Sequence, residues 1–189
     1  MSYDPRKAAQ VIAYLILRSG GRSLNVLKAV KLVYLTDRES VRRFGFPVLD
    51  ERRCSMPHGP VNSTTYSFIN GEYNVEGTGW ADFLRDKENH NLAIADASIS
   101  DQDLDELSDA DIACMDTVWE QFGHMNQWEL RDWTHDPRNV PEWEEPNGGS
   151  IEIPLQRMLS ALGVADAEHF ANLSKQQKYI DQAFEKARA

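Results

Sequence analysis

Apolar residues recur along much of the chain at the three- and four-residue spacing of amphipathic helices. The first such pattern predicts a helix over residues 5–17, which a pair of glycines ends. The second predicts a helix that Ser23 or Asn25 caps and that reaches Phe44. Because this second helix is apolar around much of its circumference, we expect it to lie in the middle of a helical bundle.

The rest of the chain is less regular but still mostly helical in pattern. Residues 57–60 predict a turn, with Pro60 in the first position of a short helix that ends at Asn70. Two short apolar pieces within residues 73–98 predict a small inserted β-hairpin. Later patterns predict a helix from the cap Ser108 to Gln121 or Phe122 and another over 127–133. A loop over 134–149 follows, then a helix that begins at Pro154 and a last helix over 167–189.

We therefore predict a mainly α fold: a compact helical bundle around a central apolar helix, with a small β-hairpin insertion, in one domain over residues 1–189. The hydrophobic fraction of 41% is sufficient for a core without disulfides or a structural metal. Cys54 and Cys114 are far apart and are expected to be free, buried thiols. The histidines are scattered, so we predict no metal and no cofactor. The absence of a long apolar stretch or a signal-peptide pattern favours a cytoplasmic protein.

Charge is distributed unevenly along the chain. Residues 1–60 hold eleven Lys/Arg and five Asp/Glu, which gives them a net charge of +6. Because the whole chain carries −10, residues 61–189 carry −16. This acidity disfavours nucleic acid as a partner, and the basic part is diluted by acidic neighbours. The acidic run between Asp96 and Asp111 is either a solvated surface or a surface that steers a basic partner.

Cys54, His58 and the pair His135–Asp136 are the residue types of a thiol nucleophile site. Nothing in the sequence brings them together, and no nucleophile elbow, P-loop or HExxH motif is present, so we expect no enzyme and keep a thiol/histidine hydrolase as the last alternative. We instead expect His58 to hold its proline-flanked turn through hydrogen bonds. Thr134 and His135 are expected to tie the end of a helix to the following loop.

Three segments, in order, are similar to one family. They are residues 26–37, with Lys31, Tyr34 and Asp37; the turn His58-Gly59-Pro60-Val61; and residues 115–123 followed by Thr134-His135 and Trp143. Over about residues 8–162 the chain resembles the Panacea domain of SocA-like antitoxins. The hairpin insertion, Trp133 directly before Thr134 and the lack of an appended helix-turn-helix domain depart from that pattern, and the last helix, 167–189, is not assigned by it.

The resemblance implies a helix-dominated, often phage-associated antitoxin that binds a cognate protein toxin directly. It implies as an alternative an adaptor that delivers the toxin to the ClpXP protease. Since one scaffold serves many toxins, we expect the motif residues to build the scaffold: Lys31, Tyr34, Asp37, His58, Gly59, Pro60, Thr134 and His135. Partner contacts are expected on the charged exterior, with an exposed tryptophan as anchor: Arg42, Arg43, Arg52, Arg53 and Trp143.

Overall fold

The computed structural model describes residues 3–188, with the backbone alone at positions 178, 181, 182 and 185–188. Within this range the chain forms seven α-helices and five short strands. The helices are α1 (Pro5–Arg18), α2 (Val26–Phe44), α3 (Ser63–Ile69), α4 (Asp109–Phe122), α5 (Gln127–His135), α6 (Leu155–Ala161) and α7 (Ala167–Arg188). The strands are β1 (Ser23–Asn25), β2 (Arg53–Met56), β3 (Gly59–Asn62), β4 (Asn91–Ala93) and β5 (Ile151–Ile153).

Local sequence signals determine where the long helices begin and end. The Asn25 side chain accepts the first free backbone N–H groups of α2, and Gly45 ends that helix in the left-handed conformation at φ 81°. Ser108 and Asp111 form a reciprocal capping box at the start of α4. The predicted limits of these two helices are confirmed.

Helix α2 lies in the centre of the molecule, as its apolar circumference predicts. It contacts α1, α4, α5, α6 and the strand β3. Ala29 and Leu32 are fully buried, and the buried apolar cluster to which they belong extends from α1 to α6 and includes Ala171 of α7. Side chains on several sides of α2 therefore serve to position the neighbouring elements.

An antiparallel sheet in the order β3-β2-β5 packs beside α2. The prediction that Pro60 begins a helix is wrong: Pro60 lies in β3, opposite Ser55, and α3 begins only at Ser63. Because β3 is an edge strand, the missing N–H of Pro60 removes no bond that the sheet needs. Strand β5 pairs with β2 from about 100 residues away and was not predicted.

The segment over residues 73–98 contains a rudimentary hairpin. Glu88 and Asn91 exchange two backbone hydrogen bonds, and the Arg85 N–H donates to the carbonyl of Ala93. Its second arm is β4, which pairs antiparallel with β1. The predicted fold class, mainly α with a small β element, is confirmed.

Cys54 and Cys114 are free and buried, as predicted. Across residues 3–188, no helix is both long enough and apolar enough to cross a membrane. Over the same described residues, no three His, Cys, Asp or Glu side chains come together in a way that could hold a metal ion.

Candidate functional site

Lys31 of α2 is buried against the hairpin formed by β2 and β3. Its ammonium nitrogen donates to the carbonyl of Pro60 at 2.9 Å, and the side chain is 1% exposed. Burial lowers the pKa of Lys31 from 10.5 to about 7. Gly59, the first residue of β3, at φ 91°, leaves room for this nitrogen and for the hydroxyl of Thr134. Three motif segments that are far apart in sequence therefore meet at one buried point.

His135, at the end of α5, links that helix to the same hairpin. Its Nδ1 lies 2.9 Å from the carbonyl oxygen of Arg131 and its Nε2 lies 2.8 Å from that of Pro57. The expectation that His58 holds the turn is wrong, because the His58 side chain is exposed at the tip and His135 makes the link. In the described part of the chain, neither histidine is hydrogen-bonded to the Cys54 thiol.

Asp37 is the centre of a second buried polar cluster. One of its oxygens accepts the N–H of Leu49 at 2.9 Å, and the other accepts the side-chain amide of Asn62 at 2.8 Å. Burial raises the pKa of the Asp37 carboxyl to about 6, although the nearby Arg53 opposes this shift. These bonds attach α2 to the segment before β2 and to the end of β3.

Glu51 extends this cluster to α3. Its carboxylate accepts the backbone N–H groups of Thr64 and Thr65 at 2.6 and 2.9 Å, and it also accepts the Thr65 hydroxyl. It therefore caps α3, because the residue in the cap position, Asn62, makes no side-chain cap bond. Burial raises the pKa of Glu51 to about 7.

Arg53 belongs to the interior and not to the contact surface. Its side chain is 6% exposed and pairs with Asp37 at 3.5 Å, so its placement among the partner contacts is wrong. The Nε and Nη1 atoms of Arg53 and Oδ1 of Asn62 are buried without a hydrogen-bond partner among the described residues. The two adjacent arginines therefore lie in different environments, since Arg52 is exposed while Arg53 is buried.

Tyr34 and Arg38 of α2 hold a buried glutamate from the loop after α5. The Tyr34 hydroxyl donates to Glu142 at 2.8 Å, and Nε of Arg38 donates to the same oxygen at 2.7 Å. Arg38 also donates to the carbonyl of Asn139. Because Glu142 is fully buried, the acidic loop after α5 is attached to α2 through one of its own acidic residues, and the loop predicted over 134–149 begins only after His135.

Trp143 follows Glu142 and is only half-exposed. Its indole N–H donates to the carbonyl of Met56 at 3.2 Å, and its ring packs edge-on against His135 at 4.7 Å. Trp143 is therefore not the fully exposed side chain that we expected, and its contact with a partner stays a prediction. The tryptophan also helps to fix the β2–β3 hairpin to the loop.

The sequence model described as "Antitoxin SocA-like, Panacea domain" matches residues 30–144, more than half of the chain. The chain belongs to the SocA-like antitoxin family. No curated protein and no solved structure is detectably similar to it. All of the motif residues that form the buried polar clusters lie within the matched range. These residues therefore connect the helices and strands of the Panacea domain to one another. Helices α1, α6 and α7 lie outside that range.

A surface cleft of about 420 Å³ lies between α2, α4 and α5 of the Panacea domain. Apolar side chains, among them Leu35, Val118 and Phe122, line it. Three guanidinium groups, from Arg38, Arg42 and Arg138, also line it. Glu39 pairs with both Arg42 and Arg43 but leaves the Arg42 side chain 53% exposed. Arg38 pairs with Glu142 and Arg138 pairs with Asp136, so the cleft combines a small apolar surface with guanidinium groups that are paired within the chain.

The acidic run between Asp96 and Asp111 lies against the basic residues of α1. Asp105 accepts hydrogen bonds from Arg6 and from Gln10, and Asp111 pairs with Lys7 at 3.0 Å. Some carboxylates of the run thus form hydrogen bonds and ion pairs within the protein. The sequence did not indicate this role. Asp105 remains 63% exposed, so the run also contributes negative charge to the surface.

Proposed function

We propose that this protein neutralises a cognate protein toxin by binding it directly, and that it acts in the cytoplasm. Membership of the SocA-like antitoxin family supports the antitoxin role. The two free, buried cysteines are typical of a protein that folds in a reducing compartment. The family does not specify a toxin, so the chemistry of the surface must indicate what kind of segment is bound.

The burial of the motif residues is the observation that carries this proposal. Lys31, Tyr34, Asp37 and Thr134 are each 1% exposed or less, and their polar groups bond to other parts of the same chain. A partner cannot reach them, and neither can a substrate. They act as scaffold, which leaves the exposed side chains to recognise the toxin.

The cleft between α2, α4 and α5 is the surface that best fits such recognition. Arg42 and Arg138 are 53% and 88% exposed beside an apolar floor, although Glu39 and Asp136 of the same chain pair with them. Arginine at the edge of an apolar surface is a frequent determinant of protein–protein binding. We infer that the toxin inserts a segment with an apolar side chain and at least one carboxylate.

Co-expression with the product of the adjacent reading frame tests this proposal. The wild-type chain should restore growth to cells that express the toxin and should co-purify with it in a fixed stoichiometry. Arg42→Glu combined with Arg138→Glu should weaken the complex about tenfold or more, because charge reversal repels the carboxylate. Arg85→Glu, on the 73–98 segment, is the matched control and should bind normally. Full binding by the double variant contradicts the assignment of the cleft.

The lifetime of the toxin distinguishes direct inhibition from delivery to a protease. If binding alone neutralises the toxin, its half-life in cells should be the same with and without this protein. A half-life that falls only when ClpXP is present would contradict direct inhibition and support the adaptor alternative.

A further inference from the structure

Exposed apolar side chains are concentrated on the last helix. Nine large apolar side chains are exposed among the described residues, and five of them belong to α7. Phe44 and Phe46 lie on either side of Gly45, and the ring of Phe170 from α7 covers that glycine. Seven of the nine therefore belong to α7 or to the point where α7 meets the end of α2. Such a concentration marks an interaction surface.

Helix α7 leaves the rest of the protein after its first two turns. Ala171 is buried and Ser174 is half-buried, whereas every described side chain from Lys175 onward is exposed. An isolated helical segment of this length is marginally stable in water. From Lys175 onward, the described apolar side chains of α7 therefore lie at the surface.

The apolar residues of α7 form a stripe whose first member, Phe170, packs on Gly45, while the stripe as a whole is centred on a face different from that of Ala171 and Ser174. The stripe consists of Phe170, Leu173, Gln177, Ile180 and Phe184, at successive spacings of three and four residues. At about 100° per residue, its centre lies about a third of a turn from the face of Ala171 and Ser174. Helices that pair with other helices show this spacing.

The order of residues in the α7 stripe is nearly the same from either end. Gln177 is the midpoint; Leu173 lies four residues before it and Ile180 three residues after it, and a phenylalanine lies seven residues away on each side. A two-fold axis through Gln177 would therefore place Phe170 opposite Phe184 of a second copy. It would also place Leu173 opposite Ile180, within about 1.5 Å along the helix. A surface of this kind is complementary to itself.

We propose that α7 pairs antiparallel with α7 of a second copy of this chain, around a two-fold axis at Gln177. The antiparallel direction brings the most exposed apolar residue of the stripe, Phe184, to the aromatic group of Phe170, Phe44 and Phe46 on the other copy. Antiparallel packing also places the positive end of each helix dipole beside the negative end of the other, which is favourable. The polar midpoint disfavours shifted registers, which would place an amide against leucine or isoleucine.

The area available is sufficient for a specific dimer. Six apolar side chains of each copy, those of the α7 stripe together with Phe44 and Phe46, offer roughly 100 Å² each. About 1,200 Å² would be buried in total, which exceeds the ~1,000 Å² expected of a specific interface. This inference does not depend on the proposed toxin binding, and its test requires no toxin.

The molar mass of the full chain in solution, measured by light scattering or sedimentation, tests the pairing. The wild-type chain should have twice the 21.5 kDa of one copy. Ile180→Glu should shift it to the mass of one copy, because it places a charge in the α7 stripe. Tyr179→Glu is the matched control: Tyr179 is 73% exposed on the same helix but lies off the stripe, and this variant should stay dimeric. A monomeric wild-type chain at about 100 μM, or a dimeric Ile180→Glu, overturns the proposal.

Engineered cysteines test the direction of the helices. Leu173→Cys and Ile180→Cys chains, mixed and oxidised, should form a disulfide between the two variants, whereas neither variant alone should cross-link efficiently. Cross-linking of each variant with itself would indicate parallel helices and would overturn the antiparallel arrangement. The native cysteines are buried and serve as an internal background.

Discussion

The ammonium nitrogen of Lys31 occupies the space in which a side chain at Gly59 would begin. A Cβ atom at Gly59 would lie 2.9 Å from Lys31 Nζ and 2.9 Å from the Thr134 hydroxyl oxygen. The φ angle of 91° is also unfavourable for any residue with a Cβ. We expect Gly59→Ala to lower the free energy of unfolding by about 3 kcal/mol, from backbone strain together with displacement of the buried amine.

Gly77→Ala is the control for backbone strain alone. Gly77 has a similar positive φ of 70°, but no atom lies within 4 Å of where its Cβ would be. Its substitution should lower the free energy of unfolding, measured by urea denaturation, by about 1 kcal/mol. Equal losses for the two variants would show that the contact between Gly59 and Lys31 has no energetic importance.

The two histidines near the β2–β3 hairpin should differ sharply in their effect on stability. His135→Ala removes the links to Arg131 and Pro57 and the ring contact with Trp143, so we expect it to lower the free energy of unfolding by about 2 kcal/mol. His58→Ala changes an exposed side chain and should cost less than about 0.5 kcal/mol. Thermal unfolding of both variants measures this, and a larger loss for His58→Ala would contradict the assignment.

The helices of this protein could be predicted because their signals are local. Asn25, Ser108 and Gly45 act on backbone groups only a few residues away, so their effects are visible in the sequence. The three-stranded sheet could not be predicted in the same way. Strand β2 pairs with β5, which comes about 100 residues later, and Pro60 has no local feature that favours an edge strand over a helix start.

The burial of charged residues was the main feature of the candidate site that could not be predicted from the sequence. A charged side chain is normally exposed, and only its partners in the folded protein show that it is not. Arg53, Glu51 and Glu142 are all buried by partners from other elements. One signal was available: Tyr34 and Arg38 are four residues apart on α2, so both can reach the same acidic group.

Removal of the Tyr34 hydroxyl should loosen the loop after α5. Tyr34→Phe keeps the ring in the core but takes one donor from the buried carboxylate of Glu142, which then depends on Arg38 alone. We expect a loss of about 1–2 kcal/mol in the free energy of unfolding and faster proteolysis within residues 134–149. Tyr73→Phe, at a half-exposed ring, should change neither quantity. Unchanged proteolysis in Tyr34→Phe would contradict the role of this bond.

Glu51 should make the stability of the wild-type protein fall as the pH rises from about 4.5 to 7. Burial raises the pKa of Glu51 from 4.5 to about 7 in the folded protein, whereas the unfolded chain keeps the ordinary value. Between these pKa values the folded state binds more protons than the unfolded state, so each increase in pH favours unfolding. Asp37, whose pKa burial raises to about 6, acts in the same direction over a narrower range.

Glu51→Gln isolates the contribution of this carboxyl group. The amide oxygen can still accept from Thr64 and Thr65, while the amide nitrogen can donate to the Thr65 hydroxyl and cannot ionise. The bond from the Asn62 amide to Glu51 at 3.3 Å is lost at every pH, so its loss shifts the stability profile without changing its slope. The free energy of unfolding of Glu51→Gln, relative to the wild type, should therefore increase by about 3 kcal/mol between pH 4.5 and pH 8. Glu72→Gln, at an exposed position, should follow the wild-type profile. If the Glu51→Gln profile instead runs parallel to the wild type, Glu51 is ionised throughout and its backbone bonds outweigh the cost of burial.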